Sequence, residues 1–106
     1  MDDFYAYLWE FQVDPDFEAE FVRRYGPAGA WARLFGQSPD YIETLLLKDN
    51  QISGRYLTLD RWRSETGYLA FKLAYAAQYA QLDLECERLT KGERAVGAYG
   101  ELRSAD

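Results

Sequence analysis

Histidine is absent from this chain. That absence excludes Ser-His-Asp and Cys-His nucleophilic catalysis, zinc held by imidazole, and haem held through a proximal histidine. No metal site is expected, and any proton transfer falls to carboxylates, lysine, tyrosine or water. Cysteine occurs once, at Cys86, so no disulfide can close within the chain. A reducing, cytoplasmic setting is the simplest expectation. No apolar run approaches the roughly 20 residues that cross a bilayer, so no membrane partner is expected. The opening MDDFYAYLWEF lacks the basic start and small-residue cleavage site of a signal peptide. Basic clusters are also missing: 12 Lys and Arg stand against 18 Asp and Glu, for a net charge of −6. Neutralising phosphates needs a basic face, so nucleic acid is not an expected partner.

What is present is aromatic. Phe, Trp and Tyr make up 17% of the 106 residues, with 9 tyrosines. The apolar share, 48%, is enough for one packed domain spanning residues 1–106. Aromatics supply burial area, and tyrosine adds a hydroxyl that needs a partner. That suits a core, an interface or a pocket for a flat ligand.

The periodicity then changes along the chain. Phe4–Val13 alternates as a strand, with Tyr5, Tyr7, Trp9, Phe11 and Val13 on one face. Phe4, Ala6 and Leu8 fall on the other, and Trp9 and Glu10 cannot be assigned to the core side or the far side. Asp14-Pro15 is a helix start, and Gly26-Pro27 ends that helix. Trp31, Leu34 and Phe35 give a short second helix from about Gly29, closed by Gly36 and Ser38-Pro39-Asp40. Tyr41–Lys48 and Arg55–Trp62 are strands joined by the turn residues of 49–54. Ser64 caps a long helical stretch to about Leu89, with a bend near Ala74–Ala77. Its stripe runs through Tyr68, Phe71, Tyr75, Tyr79, Leu82, Cys86 and Leu89. Thr90-Lys91-Gly92 breaks it, Glu93–Leu102 is a last strand, and Arg103–Asp106 is a frayed tail. The order β-α-α-β-β-α-β predicts an α+β fold, a four-stranded antiparallel sheet with helices on one face. The first three strands are apolar on both faces, which calls for a partner over the open side; a homodimer, sheet to sheet, is the simplest.

This order, the stretch YLWEFQVDPDFEAEF from Tyr7, and the strand YLTLDRW followed by the Ser64 cap resemble the antibiotic biosynthesis monooxygenase-like family. The resemblance runs from about Tyr5 to Leu102. It implies a ferredoxin-like domain paired into a dimeric α+β barrel. It also implies cofactor-independent oxygenation of a flat phenol or quinol, with O₂ as co-substrate. In the phenol oxygenases a tryptophan late in the third strand and a tyrosine early in the next helix line the pocket; Trp62 and Tyr68 match. An asparagine of those enzymes is replaced here by Thr58. Haem-degrading relatives use a histidine after the third strand, and this chain has none.

Thr58, Asp60 and Trp62 alternate and so share a face. With Tyr68, Phe71 and Tyr75 packed over them, they predict a hollow of rings with few polar groups, the usual form of a small-molecule site. The candidate catalytic residues are Asp60 as base, with Trp62 and Tyr68 as donors that orient the substrate and stabilise its anion. The candidate substrate-binding residues are Thr58, Phe71, Tyr75 and, as a possible cover, Trp31. Each has a plainer reading: Trp62, Trp31 and the helical stripe as core, Asp60 as the ion-pair partner of Arg61 or Arg63. The fold without chemistry, a small-molecule binding dimer, is the alternative function.

Overall fold

The computed structural model describes residues 4–102. The elements are β1 (Tyr5–Val13), a 3-10 turn (Pro15–Phe17), α1 (Glu18–Tyr25), α2 (Ala30–Phe35), β2 (Tyr41–Lys48), β3 (Arg55–Trp62), α3 (Glu65–Ala74), α4 (Ala76–Cys86), a second 3-10 turn (Glu87–Leu89) and β4 (Thr90–Gly100). The strands form one antiparallel sheet in the order β2-β3-β1-β4, with the helices on one face. The expected α+β, ferredoxin-like architecture is the one observed. The tail expected at 103–106 lies outside the described residues.

β3 sets the layers. Its burial alternates strictly, with Tyr56, Thr58, Asp60 and Trp62 buried and the residues between them only half-buried. Strand side chains alternate faces, so these four point at the helices. Trp62 is fully buried, its ring centroid 5.2–5.5 Å from those of Phe35, Tyr41, Tyr68 and Phe71. Register carries the same face into β1: Trp9 opposes Thr58 and Tyr7 opposes Asp60. The long helical stretch breaks at Tyr75, whose φ of −115° and ψ of 27° separate α3 from α4. β4 begins at Thr90, before the expected Glu93. Thr90 and Gly92 pair with Val13 and Gln12, and a register shift between those two absorbs the break.

Two loops fix how strands meet helices. In the β2–β3 turn, Asp49 Oδ1 accepts from the amides of Gln51 (2.8 Å) and Ile52 (3.0 Å), and Gly54 takes a φ of +80°. A left-handed residue there favours glycine. At the start of α3 the Gly67 amide donates to Ser64 Oγ at 3.0 Å, the expected cap. A Cβ on Gly67 would sit 2.6 Å from Asp40 Cβ and Cγ, while the Asp40 carbonyl accepts from Arg63 N at 2.8 Å.

The far face of the sheet has no helix over it. Ala6, Leu8, Leu45, Leu47, Leu57, Leu59 and Tyr99 share it by register, and Leu45, Leu47 and Tyr99 are exposed. Its rim is charged: Arg61 binds Glu43 and Glu101, and Arg94 binds Glu10. Gly67→Ala should cost about 1–3 kcal/mol of stability, because the methyl forces α3 from the Asp40 loop. Urea denaturation measures this; an unchanged midpoint would show that the loop yields freely.

Candidate functional site

A cavity of about 90 Å³ lies between the sheet and the helices. The sheet supplies Thr44 from β2, Thr58 and Asp60 from β3, Trp9 and Phe11 from β1, and Glu93 from β4. Tyr25 of α1, Trp31 and Phe35 of α2, and Tyr79 and Asp83 of α4 close it. Thr44, Thr58 and Asp60 are buried whereas Asp83 and Glu93 are exposed, so the first three form the floor and the last two the mouth.

Asp60 is the chemically distinctive group. Thr44 lies directly across the β2–β3 ladder, and its hydroxyl donates to Asp60 Oδ1 at 2.6 Å. Tyr41 Oη is 2.7 Å from the same Thr44 oxygen, so with Asp60 ionised the chain of donation runs Tyr41 to Thr44 to Asp60. No arginine among the described residues answers the charge. Arg61 points to the opposite sheet face and holds Glu43 and Glu101, and Arg63 Nε donates to the Pro39 carbonyl. The ion-pair reading of Asp60 therefore fails. Burial pushes its pKa from 3.8 up to about 6, with the Thr44 hydrogen bond pulling the other way.

Of the seven candidate residues, the structure brings Thr58, Asp60 and Trp31 to the cavity. Trp62, Tyr68, Phe71 and Tyr75 are not on its wall. The reason is packing: Trp62 meets Tyr68 and Phe71 ring against ring, Phe71 stacks on Tyr75 at 5.1 Å, and Tyr68 lies 5.5 Å from both Tyr5 and Tyr7. Those contacts leave no gap, and the hollow opens farther along, beneath α4. The Nε1 groups of Trp62 and Trp31 find no acceptor among the described residues. Trp9 faces the cavity and Glu10 faces away, which settles the side that periodicity left open.

No family model matches the sequence, and no curated protein does. Solved structures do. SnoaB, a cofactor-independent oxygenase from Streptomyces nogalater, superposes with a TM-score of 0.70 at 17% identity, covering 96% of each chain. A candidate antibiotic biosynthesis monooxygenase from Bordetella bronchiseptica gives 0.72 at 16% identity, covering 97% of this chain and 99% of its own. PA3566 from Pseudomonas aeruginosa gives 0.63 at 11%, covering 99% and 97%. This is the antibiotic biosynthesis monooxygenase fold. At such identities the likeness carries the fold and leaves the chemistry to the residues.

Within that fold, several wall residues escaped the candidate set. Thr44 had a signal, a lone hydroxyl in the apolar run Thr44–Leu47. Tyr79 sat on the same stripe as Tyr75, one turn on. Tyr25, Glu93 and Asp83 had none, because only tertiary placement brings them here.

The buried charge has a measurable cost. Well below pH 3.8 Asp60 is neutral folded and unfolded alike; as pH rises through 3.8 the unfolded chain ionises first, and stability falls until pH passes about 6. The gap amounts to about 3 kcal/mol. Asp60→Asn should therefore raise stability at pH 7.5 by on the order of 1–3 kcal/mol and flatten the pH 4–6.5 profile, as read by urea denaturation. A less stable variant at pH 7.5 would show that the carboxylate is compensated after all.

Proposed function

We propose that the cavity is an oxygenase site in which Asp60 takes a proton from a small phenol or quinol. The anion then reduces O₂ directly, without a bound cofactor. The observation that carries this reading is the buried carboxylate on the cavity floor, with no cation against it among the described residues and with burial pushing its pKa up to about 6. A base poised there is ionised at neutral pH and still strong enough to accept a proton. Thr44 holds it by Oδ1, and the rings around it keep water from competing. Trp62 and Tyr68 support the site by fixing α3 on the sheet, as positioning residues. The buried thiol of Cys86 suits a reducing compartment such as the cytoplasm.

The experiment is oxygen uptake with hydroquinones and anthrones over a heat-denatured control. Uptake should appear and should fall at least about 100-fold in Asp60→Asn, the usual contribution of a general base. A variant that oxidises the same substrate at the wild-type rate removes Asp60 from the reaction. One observation favours the non-catalytic reading: about 90 Å³ is less than the ~150 Å³ that receives a benzene ring, so a ring enters only if a wall moves. Binding without uptake would select that reading.

We further propose that the open sheet face pairs with a second copy of the chain, forming a dimeric barrel. A leucine-centred face with a rim of both charge signs is complementary to itself under a two-fold axis. Sedimentation at micromolar concentration should give a dimer, and Leu59→Arg a folded monomer. A wild-type monomer would overturn this.

A further inference from the structure

The charge on the cavity wall is one-sided. Asp60 stands at the floor and Asp83 and Glu93 at the mouth, and among the described residues no lysine or arginine lines the space. Lys72 approaches the wall from outside, its Nζ 4.5 Å from the Tyr79 ring centroid, and is not itself part of the lining. The rest of the lining is largely aromatic: Trp9, Phe11, Tyr25, Trp31, Phe35 and Tyr79. Ring faces carry negative quadrupole density and attract cations, most strongly when water is excluded.

We propose that this cavity receives a small organic cation, an ammonium or methylated ammonium group, seated among the rings with Asp60 as its counter-charge. Asp60 is nine-tenths buried and lines the cavity, and its Oδ2 accepts no hydrogen bond from the described residues. That oxygen is not sealed in, since only Trp31 Nε1 and Trp62 Nε1 are enclosed without a partner among the described residues, so it is open to an N–H donor or to the charge of a quaternary ammonium. Asp83 and Glu93 at the mouth give the entrance the sign that draws cations inward. Tyr79 reports the same field: burial, then the charges of Asp83, Asp60 and Glu93, push its hydroxyl up to about 12. At about 90 Å³ the cavity holds a bare ammonium group as it stands, whereas a trimethylammonium headgroup, no smaller than a benzene ring, enters only with the same movement of a wall. The three carboxylates do not converge as a metal-ligating cluster among the described residues, which favours an extended organic ion over a bare one.

The inference shares its cavity with the proposed oxygenase site and names the group a substrate would carry, but it does not need turnover. The test is anaerobic calorimetry with choline and its uncharged carbon isostere, 3,3-dimethylbutan-1-ol, alongside 4-hydroxybenzoate as the anion. Choline should bind at least about tenfold more tightly than the isostere, and the anion should not bind. Asp60→Asn should lose that preference. Glu93→Gln, at an exposed position where folding is not at stake, should weaken choline severalfold and reduce its salt dependence. Equal or tighter binding of the isostere, or any binding of the anion, overturns the proposal, as does undetectable choline binding by a folded protein. Oxygen uptake that persists alongside a preference for the isostere sinks the cation alone and leaves the oxygenase reading in place.

Discussion

The packing of Trp62 is the contact on which the rest of the molecule depends. Its indole has no solvent exposure and touches rings from α2, the start of β2 and α3. One side chain at the end of β3 thus joins the sheet to two helices. A buried tryptophan of this kind holds several kcal/mol when truncation to alanine is the measure. Because the strand alternates, placing Trp62 under α3 also places Asp60 and Thr58 on the helix side. The acid is buried as a consequence of where the indole must go.

That burial runs against stability. A carboxylate nine-tenths removed from water with one neutral hydroxyl donor and no cation among the described residues would be expected to recruit an arginine, and Arg61 and Arg63 lie close by in sequence. Strand geometry turns Arg61 to the opposite face and the chain leaves the sheet before Arg63. Groups kept in such costly states concentrate where a ligand or a reaction makes use of them. The nearby crowding of Trp62, Tyr68 and Phe71, by contrast, is ordinary core.

The sheet, its helices and the polarity of each face were legible in the residues because two periodicities, two and about 3.6, report directly which side of an element is dry. The caps at Asp14 and Ser64 and the break near Tyr75 were legible for the same local reason. The floor of the cavity was half legible: Asp60 and Thr58 followed from alternation. The location of the void was not. Whether Tyr68 or Tyr79 borders empty space depends on how far apart two layers sit, and spacing along one helix does not encode that distance. The acidic mouth was hidden more deeply, since Asp83 and Glu93 meet only when the chain folds back through the 87–89 turn and brings β4 alongside α4.

The interruption at Tyr75 has a mechanical meaning. Asp83 stands eight residues beyond it, about 12 Å along the axis at 1.5 Å per residue. A rotation of roughly 10° at that joint swings the far half of the helix by about 2 Å, while the near half stays clamped on the indole. The backbone torsion of one tyrosine therefore fixes the angle at which α4 roofs the chamber, and the burial of Cys86 and Leu89 at its far end holds that angle in place.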